Sequence, residues 1–306
     1  MDIEYLLWLQ NFREASGNIF TPFMQKVSQL EMWYLLAPIF VYWAISKRKG
    51  LFIILAFCIS CFMNGVLKLT FCIYRPFVYD NRLIPIDGHP TSYSFPSGHS
   101  MSVTPVIAGM AVISRKKAVL FSWICVVFAL LVAFSRNYVG VHTLKDITVG
   151  MTLAVLSLWI ASVMIYHPEQ ENLSYALLLV ICAVCLYYIS TKSYPPDYDG
   201  EIRIGDAEGG IKFTFYEAGM IAGFIFGRLL ERRYINFSPK FSVKSAVVAL
   251  IGLVIYSVIF SVGARGNFII PLTPFLTAYG ANFVSGMITM LYVIAVWPCV
   301  MKKFCE

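Results

Sequence analysis

Residues 135–166 read SRNYVGVHTLKDITVGMTLAVLSLWIASVMIY, and this stretch joins ionisable side chains to a long apolar run. From about residue 145 onward it is apolar and long enough to cross a bilayer as a helix, which takes ~20 residues. Its first part places Arg136, His142 and Asp146 beside the end of that helix. Because ionisable side chains are costly in or beside a bilayer, this junction is a candidate functional site.

The rest of the chain repeats the apolar pattern. Of its 306 residues, 58% are hydrophobic and 13% are charged, and its mean hydropathy is +0.71. A soluble domain carries roughly 25% charged residues. Nine apolar runs approach or reach spanning length, at about residues 32–46, 51–74, 98–114, 118–135, 145–166, 173–190, 212–230, 244–262 and 277–300. The composition therefore predicts an all-α, polytopic membrane helix bundle of about nine transmembrane helices.

Positive charge is concentrated in the loops on one side of this predicted bundle, at residues 47–49, 115–117, 228–244 and 302–303. Cytoplasmic loops carry an excess of Lys and Arg, so we expect the N-terminus outside and the C-terminus in the cytoplasm. The opposite, outer side then contains residues 68–99, 135–146, 191–211 and 263–276. The net charge of +7 does not indicate a nucleic-acid partner, because no basic patch with interleaved aromatic residues occurs.

Lys68 and Arg75 lie at the outer end of the second apolar run and are followed by Pro76. Their separation of seven residues is close to two helical turns, so we expect both side chains on nearly one helix face. Taken alone, the pair is also typical of Lys and Arg side chains that extend from a helix end to the membrane interface.

The tetrapeptide Pro96–Ser97–Gly98–His99 directly precedes the third apolar run. Ser97 is a candidate helix cap, and Gly98 lets the backbone come close to a ligand. Unpaired N–H groups at a helix start favour an anion, and His99 could protonate a departing alkoxide. An ordinary capped helix start with an interfacial histidine is the alternative.

His142 and Asp146 are four residues apart, so on a helix they would share a face. A carboxylate beside an imidazole fixes its tautomer and leaves the opposite ring nitrogen free to attack. A His–Asp pair that only caps the helix is the alternative. The cations Lys68, Arg75 and Arg136 suit the oxygens of a phosphate ester, while imidazoles can attack phosphorus and protonate the leaving group.

The three segments resemble the signature motifs of the type 2 phosphatidate phosphatase superfamily. They read Lys-x6-Arg-Pro at 68–76, Pro-Ser-Gly-His at 96–99 and Ser-Arg-x5-His-x3-Asp at 135–146. This superfamily includes lipid phosphate phosphatases, isoprenoid-diphosphate phosphatases, glucose-6-phosphatase and vanadium haloperoxidases. The resemblance implies a six-helix-type phosphatase core that covers about residues 32–166.

The resemblance also implies a role for each matching residue. His142 is expected to be the nucleophile that forms a phosphohistidine, with Asp146 orienting it. His99 is expected to act as the general acid for the leaving group and then as the base that activates water. The expected phosphate-binding residues are Lys68, Arg75, Arg136, Ser97 and Gly98, the last through its backbone N–H. No metal and no cofactor are expected.

These observations predict three segments and one main function. The segments are an interfacial N-terminal helix at 1–31, the phosphatase core at 32–168 and additional membrane helices at 169–306. We expect a plasma-membrane hydrolase of a lipid-linked phosphomonoester or isoprenoid diphosphate at the outer face. The alternatives are a phosphotransferase to an acceptor alcohol, a sugar-phosphate phosphatase, and a transporter or scaffold.

The seventh apolar run contains two further features. Glu217 could line a substrate groove, or it could pair with Lys212 or a neighbouring helix. Gly219, Gly223 and Gly227 recur every four residues and predict a face on which another helix packs closely.

Overall fold

The structure is a computed structural model, and it describes residues 2–29, 34–86, 88–114, 118–264 and 277–305. Two short strands, β1 (Tyr198–Asp199) and β2 (Ile202–Arg203), pair antiparallel in one loop. The α-helices are α1 (Asp2–Ala15), α2 (Thr21–Gln29), α3 (Leu36–Phe40), α4 (Lys47–Phe71), α5 (Pro76–Tyr79), α6 (Gly98–Ser114), α7 (Val119–Tyr138), α8 (Leu144–Tyr166), α9 (Glu171–Thr191), α10 (Ala207–Leu230), α11 (Val243–Ala264), α12 (Ala278–Leu291) and α13 (Trp297–Cys305). Short π-helical segments follow α3, α10 and α12 at Val41–Ile45, Glu231–Ile235 and Tyr292–Val296.

Seven helical stretches in the described ranges are long and apolar enough to cross a membrane. They are Lys47–Tyr79, Val119–Tyr138, Leu144–Tyr166, Pro168–Thr191, Ala207–Ile235, Val243–Val262 and Ala278–Cys305. The predicted all-α polytopic bundle is thereby confirmed, whereas the count of nine is not. Leu36–Ile45 is a shorter apolar helix, and α6 contains 17 residues.

Some sequence predictions fall outside the described residues. They concern the start of the first apolar run at 32–33, the basic triplet at 115–117 and most of the predicted outer loop, at 265–276.

The basic residues at the start of α4 contact the ends of other helices. Lys49 donates to the carbonyl of Ile113 near the end of α6 (3.2 Å), and Arg48 donates to that of Tyr166 at the end of α8 (3.0 Å). This end of the bundle therefore contains the start of α4 and the ends of α6 and α8. The end of α4 and the starts of α6 and α8, which carry the three motifs, meet at the opposite end.

Helix α4 lies at the centre of the bundle and is buried along most of its length. It packs against α6, α8 and α10. Helix α6 packs against α4, α7 and α8, and its small residues Ser100, Ser102 and Gly109 are buried. Small residues let membrane helices approach closely, which suits the position of α6 among three other helices.

Helices α10 and α12 make close backbone contact. A Cβ atom at Gly219 would lie 1.9 Å from the carbonyl oxygen of Phe283, and one at Gly286 would lie 1.9 Å from that of Tyr216. Any side chain there would force the helices apart. The predicted close-packing face is confirmed, and it fixes the position of α10, which also packs along α4.

The N-terminal residues form two helices, α1 and α2, where the sequence predicted one interfacial helix. A turn at 16–20 separates them, with Asn18 in a left-handed conformation (φ 59°). The buried Arg13 side chain donates to the carbonyls of Tyr138 (3.2 Å) and Ile84 (3.1 Å). The segment therefore packs on the end of the bundle that carries the motifs.

Candidate active site

Lys68 and Arg75 do not share a helix face, and that prediction is wrong. Helix α4 ends at Phe71, and Cys72 adopts a left-handed conformation (φ 51°) that interrupts the helix before Arg75. Arg75 has an extended backbone because it precedes Pro76, and proline disfavours the helical conformation of the residue before it. The turn nevertheless brings both side chains to the same cavity.

This cavity has a volume of about 340 Å³ and lies between α4, α10 and the motif loops. The predicted site residues that line it are Lys68, Arg75, Gly98, His99 and His142. Lys68 also donates from Nζ to the backbone carbonyl of Tyr93, another residue of the cavity wall. The structure therefore brings two cations and two imidazoles from separate parts of the chain to one space.

His142 is almost completely buried (1% exposed), and both of its ring nitrogens have partners. Nε2 lies 2.8 Å from Nη1 of Arg75, and Nδ1 lies 3.3 Å from Oδ2 of Asp146. A guanidinium can only donate, so Nε2 accepts and Nδ1 carries the proton that faces the carboxylate. This tautomer places the nucleophilic lone pair of the ring toward Arg75.

Burial lowers the pKa of His142 well below its usual range. The positive charges of Arg75 and Lys68 lower this pKa further, because they oppose a third positive charge beside them. The imidazole of His142 is therefore neutral near pH 7, which is the form that can act as a nucleophile.

Asp146 meets His142 in a different way from the one predicted. His142 precedes α8, which begins after Thr143, so the two residues do not share a helix face. Instead Thr143 caps the helix, and Oδ2 of Asp146 reaches back to accept the backbone N–H of Thr143 (2.8 Å). The same oxygen faces His142, so Asp146 both caps α8 and holds the imidazole.

Two serines that the sequence analysis did not identify also contribute to the site. Ser94 donates to Oδ2 of Asp146 (2.6 Å), and its hydroxyl lies 3.4 Å from Nδ1 of His142. Ser92 accepts two hydrogen bonds from Arg75, one at its carbonyl and one at its hydroxyl, each 2.8 Å long. Their position just before the Pro-Ser-Gly-His motif was the only available signal.

The remaining predicted residues, Ser97, Arg136 and Asp146, are not among those that line the cavity. Arg136 is buried and donates to the hydroxyl of Ser28 in α2. Ser97 accepts the N–H of Ser100 (3.4 Å), as predicted for a cap of α6, and donates its own N–H to the carbonyl of Asp146 (3.0 Å). Ser97 therefore ties the second motif to the third.

Residues 49–169 match the family model of the PAP2 superfamily, and this segment contains all the motif residues. This segment of the chain is therefore similar to the PAP2 superfamily. The predicted resemblance is confirmed, and with it the predicted class of membrane phosphatase. The match ends before α9, so the C-terminal helices lie beyond it.

The chain is similar to several curated proteins. The undecaprenyl-diphosphatase of Sulfolobus acidocaldarius is 29% identical over 150 residues, which cover 48% of this chain and 71% of that relative. Phosphatidylglycerophosphatase B of Bacillus subtilis is 38% identical over 115 residues, which cover 35% of this chain and 53% of that relative. The undecaprenyl-diphosphatase BcrC of Bacillus subtilis is 32% identical over 96 residues, which cover 31% of this chain and 46% of that relative. A comparison with solved structures gave no match.

Proposed function

We propose that this PAP2 protein hydrolyses a lipid-linked phosphomonoester or diphosphate through a phosphohistidine at His142, without a metal. The observation that carries the proposal is the position of His142. Its Nε2 atom lies 2.8 Å from the guanidinium of Arg75, in the wall of a cavity that Lys68 and His99 also line. The names of the relatives, an undecaprenyl-diphosphatase and a phosphatidylglycerophosphatase, support a lipid substrate.

In the first step a phosphoryl group enters the cavity and its oxygens bind to Arg75 and Lys68. A phosphoryl oxygen accepts the hydrogen bond that Arg75 otherwise donates to Nε2 of His142. The lone pair of Nε2 is then free to attack. Nε2 then forms a bond to phosphorus, and the bond from phosphorus to the leaving oxygen breaks. His99 gives its proton to that oxygen, while the carboxylate of Asp146 stabilises the charge at Nδ1.

In the second step a water molecule attacks the phosphohistidine, and His99 accepts the proton that this water loses. The bond between phosphorus and Nε2 breaks, and inorganic phosphate leaves. Arg136, although outside the cavity wall, adds positive charge that lowers the pKa of His142. Positive side chains thus supply the charge stabilisation that a metal ion supplies in other phosphatases.

Phosphate release tests this proposal. The purified protein in detergent is given phosphatidate, phosphatidylglycerol phosphate, undecaprenyl diphosphate and a sugar phosphate, and free phosphate is measured. We expect release from at least one lipid substrate and loss of that release in His142→Ala. His89→Ala is the matched control, since His89 packs on Phe77 outside the cavity. Equal release by wild type and His142→Ala would overturn the proposal, and so would release from the sugar phosphate alone.

We also propose that the active site faces the outer side of the plasma membrane. The basic residues Lys47, Arg48 and Lys49 lie at the opposite end of the bundle, and such residues favour the cytoplasm. Single cysteines at Lys145, near the site, and at Lys303, in α13, are introduced into a cysteine-free chain. In intact cells a membrane-impermeant maleimide should label position 145 and not position 303. The reverse pattern would overturn this orientation.

A further inference from the structure

A short turn, residues 72–75, connects the two cations of the first motif. Lys68 lies in the last turn of α4, and Arg75 follows the end of that helix by four residues. The conformation of the turn therefore sets where the guanidinium of Arg75 lies relative to Lys68 and to Nε2 of His142, which is 2.8 Å away. Whatever holds the turn also holds this arrangement.

Lys192, the first residue after α9, contacts the start of the turn. Its ammonium group donates to the carbonyls of Leu69 (2.6 Å) and Thr70 (2.5 Å) and lies 3.4 Å from Sγ of Cys72. The last four carbonyls of a helix have no donor within the helix, and they carry partial negative charge that a cation stabilises. The three N–H bonds of one ammonium group thus match three acceptors at the end of α4.

A second contact holds the other end of the turn. Tyr74, which directly precedes Arg75, donates its hydroxyl to the carbonyl of Pro196 (2.6 Å). Pro196 lies four residues after Lys192, in the loop between α9 and α10. This one loop therefore contacts the turn on both sides.

Lys192 is itself held in place. Its side chain is half-buried, and Nζ lies 5.3 Å from the centre of the Tyr194 ring, close enough for a cation–π contact. Tyr194 in turn donates its hydroxyl to the carbonyl of Ile189 in α9 (2.6 Å). Ile189 belongs to a buried apolar cluster that also contains Leu69 of α4. The ammonium group is therefore fixed against the end of α4 and does not extend into solvent.

We propose that Lys192 is a positioning residue of the phosphoryl-binding site. It holds the turn at 72–75 so that Arg75 can reach both a phosphoryl group and Nε2 of His142. Among the described residues Lys192 does not line the cavity, so it acts through Arg75. Because it lies beyond the family match at 49–169, the geometry of the site then depends on the C-terminal part of the chain. The inference rests on the proposed phosphatase function and adds a residue to its machinery.

Replacement of Lys192 tests the inference. Lys192→Met keeps the length of the side chain and removes the ammonium group. We expect it to lower kcat/KM for the best lipid substrate by up to about 10²-fold, the effect of misplacing a binding group by about 1 Å. Lys192→Arg keeps a cationic donor and should restore most of the rate. Lys49→Met is the matched control, because Lys49 donates to the carbonyl of Ile113 near the end of α6 (3.2 Å), at the opposite end of the bundle.

A double-mutant cycle shows whether Lys192 acts through Arg75. If Lys192 only positions the guanidinium, Lys192→Met should lower kcat/KM much less in an Arg75→Lys background than in the wild type. A general loss of stability would lower kcat/KM by the same factor in both backgrounds. Equal factors would therefore overturn the inference.

Tyr74→Phe provides an independent test that does not require Lys192→Met to fold. It removes a single hydroxyl at the other end of the turn and should lower kcat/KM about fivefold, the effect of one neutral hydrogen bond. Wild-type kcat/KM in Lys192→Met, or in Tyr74→Phe if Lys192→Met does not fold, would overturn the inference alone. Absence of phosphate release from every substrate by the wild type would overturn the proposed function, and the inference with it.

Discussion

Arg75 donates a hydrogen bond of 2.8 Å to Nε2 of His142. The guanidinium that is proposed to bind the phosphoryl group therefore also engages the lone pair of the proposed nucleophile. Ser92 fixes the orientation of Arg75 by accepting from two other nitrogens of the guanidinium. These contacts hold the neutral imidazole of His142 with its proton on Nδ1, and in the proposed mechanism a phosphoryl oxygen has to replace the imidazole at Nη1 of Arg75 before attack.

Arg75→Lys should lower kcat/KM by about 10²–10³-fold, the usual effect of removing one donor from a transition-state site. A lysine keeps the charge, but its ammonium group cannot contact Ser92 and His142 simultaneously, whereas the guanidinium contacts both. Steady-state kinetics with the best lipid substrate measure the effect. Arg82→Lys is the control, since Arg82 is exposed and pairs with Asp80. A loss of similar size in both variants would contradict a specific role for Arg75.

In the pH profile of kcat/KM, the loss of activity at acidic pH should occur below pH 6.5, which is the ordinary pKa of histidine. Only the neutral imidazole can attack, so activity is present above the pKa of His142 and is lost as the pH falls through it. Burial and the cations lower this pKa, which extends activity toward acidic pH. Lys68→Met removes one of these charges and should move the acid limb of kcat/KM to higher pH. An unchanged acid limb in Lys68→Met would argue against this electrostatic account.

Ser94→Ala should lower kcat about tenfold and leave KM nearly unchanged. Ser94 donates to the Asp146 oxygen that faces His142, so it positions the nucleophile without lining the cavity. The loss corresponds to one hydrogen bond to a charged group. Ser122→Ala, far from the site in α7, serves as the control. An increase in KM with normal kcat would show that Ser94 has a different role.

Activity should persist in EDTA, and orthovanadate should inhibit competitively because it mimics five-coordinate phosphorus. Both expectations follow from charge stabilisation by Lys68 and Arg75 in place of a metal. Phosphate release is measured with and without each reagent. Full inactivation by EDTA that added Mg²⁺ or Zn²⁺ reverses would contradict the metal-free mechanism.

Much of the site could be predicted from the sequence because its motif residues occur in short, recognisable patterns. Helix periodicity predicted the wrong arrangement for both motif pairs. The helix that carries Lys68 ends before Cys72, Arg75 is extended because it precedes Pro76, and α8 starts only after His142, with Thr143 as its cap. Lys68, Arg75 and His142 nevertheless line one cavity, because loops rather than helix faces bring them together.

The rest of the site depends on tertiary packing that local patterns do not encode. Ser92 and Ser94 lie in a loop with no periodicity, and their partners are distant in sequence. Likewise, the sequence showed Glu217 as one intramembrane carboxylate with several alternatives. Only the packing of α10 against α4 places it in the wall of the cavity.

Trapping a covalent intermediate shows whether His142 is the nucleophile. His99→Ala is given an aryl phosphate, whose leaving group needs little protonation, so phosphohistidine forms while its hydrolysis lacks the general base. After rapid quenching at alkaline pH, peptide mass spectrometry should locate a phosphoryl group on His142, and His99→Ala combined with His142→Ala should carry none. A phosphoryl group on another residue, or turnover of the aryl phosphate by the double variant at the rate of His99→Ala, would contradict the account.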